Sequence, residues 1–257
     1  MGKKNLKKII RSKKISYGTW ITIPNIVIPE ILSKSKFDWL CVDLEHSSTD
    51  LSQLMNLIIS IENNNMSALV RVGENNPNLI KRVMDMGAKG IIAPNICNRK
   101  EAQAVVDAVK YPPKGKRGFG IYRAQGFGDN FNNYLKWVET QSIVIVQIEH
   151  INAIKNLDEI FSVEGVDGFL IGPYDLSGSM GIPGKLEHKK LIKTINIILE
   201  KGKKFNKYAG IHVAVPDIKK IKKIKKSGFK FIGVGMDSTF LKNASDNFMK
   251  QVHEKKN

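Results

Sequence analysis

Phe37-Asp38-Trp39-Leu40-Cys41-Val42-Asp43-Leu44-Glu45-His46 decides the fold of this chain. Its apolar centre reads as a buried strand, and its end delivers two carboxylates and an imidazole to one place. Three later runs finish in the same way: Ala68-Leu69-Val70-Arg71, Ile143-Val144-Ile145-Val146-Gln147-Ile148-Glu149, and Gly168-Phe169-Leu170-Ile171-Gly172-Pro173-Tyr174-Asp175. Polar strand ends so far apart in sequence need a shared edge on which to meet.

Working outward from these runs, buried strands alternate with segments of helical period. Strands are expected near residues 17–23, 39–44, 68–72, 90–94, 143–149, 168–171, 209–213 and 231–235, with helices between them and a last helix over about 238–254. Asn98 is placed to cap the helix that begins at Arg99. The longest irregular stretch, from Tyr111 to about Asp129, holds Pro112-Pro113, five glycines, Arg117 and Arg123. A loop of that length inside a compact domain is usually functional. Eight strand-helix pairs predict an α/β fold of the (β/α)8 TIM barrel type, a single domain over residues 1–257, with a doubly wound open sheet as the alternative. In a barrel the loops after the strands gather on one face, so His46, Arg71, Glu149 and Asp175 are expected to converge there.

Charge and composition bound the function classes. A net charge of +17 and a pI near 9.7 raise the question of nucleic acid. Only six of the 41 basic residues are arginine, however, and the lysines are spread through helices. In Ile218-Lys219-Lys220-Ile221-Lys222-Lys223-Ile224-Lys225-Lys226 the isoleucines recur every third residue, which describes a surface helix with a solvated lysine face. The basic segment 1–15 reads as a frayed lead into the first strand. Cys41 and Cys97 have neither metal-ligand spacing nor a disulfide framework and suit a reducing compartment. No secretory apolar segment and no run of membrane-spanning length is visible, so a cytoplasmic protein without membrane or nucleic-acid partners is expected.

Glu149 and Asp175 end neighbouring predicted strands, where their mutual repulsion calls for a cation between them. Oxygen-only ligation with places left for water or substrate favours Mg²⁺, Mn²⁺ or Co²⁺. The plainer reading pairs each carboxylate with a lysine or a helix terminus. Gln147 lies two residues before Glu149, so its amide points to the same side of the strand. His46 is the acid-base candidate among five histidines, with His212 a minor reservation and a structural role as the alternative. Arg71 is a permanent cation suited to a carboxylate or a developing oxyanion, unless it serves only a neighbouring acid. Gly172-Pro173-Tyr174-Asp175 reads as a tight turn whose Tyr174 and Asp175 N–H groups face a substrate carboxylate. No phosphate loop of the G-x-x-x-x-G-K-[ST] type and no G-x-S-x-G nucleophile elbow occurs.

These residues resemble the HpcH/HpaI aldolase family. The resemblance rests on Phe37-Asp38-Trp39 through Asp43-Leu44-Glu45-His46, Leu69-Val70-Arg71-Val72, and Asp85-Met86-Gly87-Ala88-Lys89-Gly90-Ile91-Ile92-Ala93-Pro94. It continues in Tyr111-Pro112-Pro113-Lys114-Gly115-Lys116-Arg117-Gly118, Gln147-Ile148-Glu149 and Gly172-Pro173-Tyr174-Asp175-Leu176-Ser177, in that order, and spans about residues 18–235. It implies a class II, metal-dependent aldolase similar to the 4-hydroxy-2-oxo-heptane-1,7-dioate aldolases, cleaving a 4-hydroxy-2-oxo acid to pyruvate or a related 2-oxo acid and an aldehyde. By the same resemblance Glu149 and Asp175 hold the metal and His46 is the base. Asp85, or alternatively Asp43, supports His46. Arg71 binds substrate oxygens, and Gln147, Gly172, Tyr174 and Asp175 hold the oxo acid. A homo-oligomer, often a hexamer, is implied as well. Pro173 and Tyr174 stand where many members carry smaller residues, which bears on the acceptor pocket. The rival functions are a related metal-enolate lyase or decarboxylating synthase, and a non-catalytic barrel that binds an anionic polymer.

Overall fold

The computed structural model describes residues 5–254. Eight parallel strands close into a barrel in sequence order, β1 (Ser16–Ile21), β2 (Trp39–Asp43), β3 (Ser67–Arg71), β4 (Gly90–Ala93), β5 (Ile143–Ile148), β6 (Gly168–Ile171), β7 (Tyr208–Val213) and β8 (Phe231–Met236). All eight strands lie within two residues of their predicted positions, and the alternative of an open sheet is excluded by the pairing of β1 with β8. Asp237 reinforces that closure, because its buried carboxylate accepts hydrogen bonds from the backbone N–H groups of Thr22 and Ile23 and from the Thr22 hydroxyl.

The barrel is filled by bulky side chains placed against glycines. Trp20 meets Trp39 edge to face at 5.5 Å, and Trp39 stacks on Phe231 at 4.2 Å. A Cβ at Gly18 would lie 2.0 Å from the Trp39 ring, and one at Gly233 would lie 2.4 Å from the Trp20 ring. Both positions therefore have to stay empty for the indoles to lie flat. A second, larger core joins the outer faces of the strands to the helices, among them α3 (Leu51–Asn63), α4 (Pro77–Met86) and α5 (Arg99–Val109). Asn98 caps α5 as predicted, its side chain accepting from the Glu101 N–H at 3.0 Å.

Two helices packed against the core escape the sequence reading, besides the short one that follows β6. Residues 1–4 of the basic segment lie outside the described residues, but the rest is not frayed: α1 (Leu6–Arg11) closes the floor of the barrel. Leu6 and Ile10 join the interior cluster with Tyr208 and Phe231. Lys7 is buried with them, donating to the Ser142 carbonyl at 2.7 Å and pairing with Asp167. The second is α6 (Phe131–Gln141), which follows the long loop and packs Tyr134 and Val138 against Tyr111. Between β1 and β2 runs the short α2 (Val27–Ser33), and α7 (Leu157–Phe161) follows β5. The helices α8 (Pro173–Ser179), α9 (Lys189–Lys204), α10 (Ile218–Lys226) and α11 (Asp237–Glu254) complete the ring. Among the described residues no helix is long and apolar enough to cross a membrane.

Candidate active site

The C-terminal ends of β2, β3, β5 and β6 bring most of the singled-out residues to one mouth of the barrel. Strands β2 and β3 run in register with Asp43 opposite Arg71. The Asp43 carboxylate is 1% exposed and takes the Arg71 fork twice, from Nε at 2.9 Å and from Nη2 at 2.6 Å. The remaining Nη1 of Arg71 stands 3.0 Å from Glu45 Oε2. Burial by itself would weaken the charge on Arg71, but the bond and field of Asp43, with Glu45 behind them, more than reverse this and raise its pKa. The guanidinium also lies 5.9 Å above the Trp20 ring.

Asp43 shapes the loop that carries His46. Its Oδ1 accepts from the Glu45 N–H at 3.0 Å and from the His46 N–H at 3.4 Å. The His46 ring itself is open to solvent, 67% exposed, with Nε2 3.8 Å from Glu45 Oε2. Glu45 was passed over in the sequence as a site residue, although it alternates with Asp43 on the same run. Burial raises its pKa, Arg71 opposes the rise, and the nearby Glu149 adds to it.

Glu149, just past β5, is buried and held from two sides. Oε1 accepts from the Asn95 N–H at 2.6 Å, and Oε2 accepts from Gln147 Nε2, so the predicted side for Gln147 is borne out. A Cβ at Gly172 would lie 2.8 Å from Glu149 Oε2, so only glycine lets the turn after β6 come this close. The segment read as a tight turn is instead the start of α8, with Pro173 at its first position. The first bonded N–H of α8 is that of Leu176, leaving those of Tyr174 and Asp175 without an intrahelical acceptor. The Asp175 carboxylate is exposed and makes no hydrogen bond or ion pair among the described residues, and Gln147 Oε1 is buried without a donor.

One expectation turns out differently within the chain. Asp85 does not reach His46: it pairs with Arg117, a buried guanidinium that lies 4.6 Å from the Tyr111 ring and donates to the Tyr134 hydroxyl at 3.1 Å. That cluster, together with Arg123 bonding the Met86 carbonyl at 2.7 Å and Glu62 at 2.7 Å, fastens the long loop onto α4. His212 is a core residue, stacked on Trp20 at 4.3 Å with Nε2 2.9 Å from the Gly235 carbonyl.

Burial pushes the His212 pKa down to about 4, the Gly235 bond opposing only in part. The folded protein thus keeps this ring neutral where the unfolded chain, with an ordinary histidine near 6.5, takes up a proton. Its contribution to stability is complete above pH 6.5 and declines as pH falls toward 4, by on the order of 3 kcal/mol. His212→Gln is expected to lose less stability than wild type between pH 6.5 and 4.5, read from urea midpoints. Parallel midpoints for the two proteins would remove His212 as the acid-sensitive group.

Carboxylate and amide oxygens lie at the ends of β5 and β6. Among the described residues no group of three or more His, Cys, Asp or Glu is arranged to hold a metal by itself. Two carboxylates and an orphaned amide oxygen fit a hard divalent cation that keeps water or substrate in its other positions.

Comparison with known proteins agrees with this fold. The family model described as HpcH/HpaI aldolase/citrate lyase matches residues 16–244. A hydroxypyruvate/pyruvate aldolase of Roseobacter denitrificans is 35% identical over 239 residues, 92% of each chain. A 2-keto-3-deoxy-L-rhamnonate aldolase of Escherichia coli is 32% identical over 253 residues, covering 98% of this chain and 94% of its own. Among solved structures, an HpcH/HpaI aldolase/citrate lyase family protein from Burkholderia cenocepacia superposes with a TM-score of 0.92 at 28% identity, covering 97% of this chain and 99% of that one.

Proposed function

The chain belongs to the HpcH/HpaI aldolase/citrate lyase family and is a carbon–carbon lyase, and from that premise we propose a metal-dependent pyruvate-type aldolase. Its reaction is the reversible cleavage of a 4-hydroxy-2-oxo acid to pyruvate, or a related 2-oxo acid, and an aldehyde. The observation that carries this reading is the oxygen donor set of Glu149, Asp175 and Gln147 beside the clamped Arg71. Relatives named for pyruvate and for a 2-keto-3-deoxy acid support the substrate class.

Glu149 and Asp175 would hold the divalent cation, which when bound supplies Lewis-acid polarisation of the oxo group and charge compensation for an enolate. The chain's own part begins with the carboxylate of the 2-oxo acid, bound by the unpaired N–H groups of Tyr174 and Asp175 above Gly172. Gln147 fixes Glu149 and bounds the same floor. Arg71, immobilised by Asp43, presents its charge to the oxygen on which electrons accumulate, so little reorganisation is needed as the carbon–carbon bond breaks. His46 accepts the proton of the 4-hydroxyl at its exposed ring. Of the two acids considered for positioning it, Asp43 is the one that binds the His46 backbone. Asp85 serves the long loop through Arg117.

The test needs no knowledge of the aldehyde. Pyruvate in deuterated water, with Mg²⁺, Mn²⁺ or Co²⁺, is expected to exchange its methyl protons in the presence of the protein, as followed by proton NMR, and a chelator is expected to stop the exchange. Exchange that survives chelation, or a protein adduct trapped by borohydride with pyruvate, points to a lysine Schiff base and ends this reading.

The same reading makes the chain one subunit of a homo-oligomer, a hexamer by family resemblance. Its support is α11, on which Leu241, Phe248, Met249 and Val252 are all exposed at spacings that share one helical face. Light scattering is expected to give a mass several times 28.8 kDa, whereas a monomer at micromolar concentration rules the assembly out.

A further inference from the structure

Beneath the barrel floor, at the end of the molecule opposite Arg71 and Glu149, lies an open cavity of about 870 Å³. It is walled by the end of α1, the ends of α9 and α10, and the residues leading into β6, β7 and β8. Its volume falls in the range of small-molecule sites, about 300–1,000 Å³. Arg11, Lys13, Lys203, Lys207, Lys226 and Lys230 line it, against two acids, Asp167 and Glu200. Asp167 is already neutralised by Lys7 and accepts from the Val144 N–H at 2.9 Å.

Four of the cations have nothing to bind. The side chains of Lys13, Lys203, Lys226 and Lys230 make no ion pair or hydrogen bond among the described residues, whereas Lys207 donates to the Val163 and Val166 carbonyls. The C-terminal carbonyls of α9 and α10 account for part of this charge, but each helix end carries only about half a negative charge. Two such ends leave most of the surplus uncompensated. Ile10, Leu199 and Phe205 add apolar surface to its lining.

We propose that this cavity is a second ligand site, for a nucleotide-like anion: a short phosphate chain attached to a flat or apolar body. The phosphates meet Lys13, Lys203, Lys226 and Lys230, and the body lies against Leu199 and Phe205. A single hollow ringed by cations suits a compact ligand better than a polymer, which needs a track of charge. Because Ile10 reaches into the barrel interior while Arg11 and Lys13 line the cavity, ligand binding also secures α1 in the floor.

ADP serves as the probe, with pyrophosphate, adenosine and a single-stranded RNA 12-mer beside it, in calorimetric titrations at 150 mM salt. ADP is expected to bind at least tenfold more tightly than pyrophosphate and than adenosine, and to raise the melting temperature. Lys203→Glu combined with Lys226→Glu is expected to weaken ADP at least tenfold, with circular dichroism confirming the fold. Asn196→Trp, which fills the hollow while keeping every charge, is expected to do the same and covers the case in which the charge reversal unfolds the protein. No binding of ADP at 1 mM overturns the proposal. So does ADP affinity that neither variant changes, or RNA binding tighter than that of ADP, which would make these lysines part of a polymer-binding face.

Discussion

Glu149→Ala is expected to lower both pyruvate proton exchange and aldol cleavage by about 10³-fold, the equivalent of roughly 4 kcal/mol of transition-state stabilisation. The carboxylate is buried and its two oxygens are fixed by the Asn95 N–H and the Gln147 amide, so its charge is held at one point of the mouth. The substitution removes one of two proposed acid ligands and leaves the buried Gln147 amide without its acceptor, which costs about 1–3 kcal/mol of stability. Glu149→Gln separates the two effects. Its amide oxygen can still accept from Asn95 while the negative charge is gone, so activity should fall as far with a smaller loss in melting temperature. Raising the Mn²⁺ concentration should not restore either variant to wild-type rates. Metal-dependent exchange within tenfold of wild type in Glu149→Ala would remove this residue from the site.

The second large effect is expected from Arg71→Lys, a fall of about 10²–10³-fold in kcat/KM carried mainly by kcat. Lysine keeps the positive charge but cannot reproduce a fork that holds Asp43 at two points and faces Glu45 with a third nitrogen. The misplacement should therefore be felt where negative charge develops rather than in ground-state binding. Arg71→Ala is the less informative change, because stripping the partner from a buried carboxylate destabilises a protein by about 3–5 kcal/mol, and misfolding would obscure the chemistry. Steady-state kinetics on the lysine variant decide the matter: unchanged kcat with a raised KM would assign Arg71 to uniform binding alone.

The strands, and the meeting of their polar ends at one mouth, were within reach of the sequence because both follow from short-range rules. A strand buried on both faces has to be an unbroken apolar run, and its last residues have to face the mouth of a parallel barrel. Glu149 and Gln147 obey the two-residue period of a strand, which places both on one side without knowledge of anything else. The partner of Asp85 follows no such rule. Arg117 lies 32 residues away in a glycine-rich loop, and nothing local signals that it folds back between two tyrosines onto α4. For α1 the signal was present but slight: Asn5 as N-cap and Leu6 and Ile10 four apart, submerged among lysines that suggest solvent. In α6 the same spacing of Tyr134 and Val138 was hidden by the loop before it. His46 is exposed in the single chain, so its role depends on substrate and neighbours that no periodicity encodes.

The seating of α1 has a consequence for biosynthesis. Lys7 finds Asp167 across 160 residues, and Arg11 finds the Thr140 carbonyl across 129. Once made, α1 therefore has no berth until the 160 residues that separate Lys7 from Asp167 have been added, a wait of roughly 8–30 seconds at about 5–20 residues per second. Through that interval Leu6 and Ile10 travel exposed, and the lysines around them keep the waiting segment hydrated.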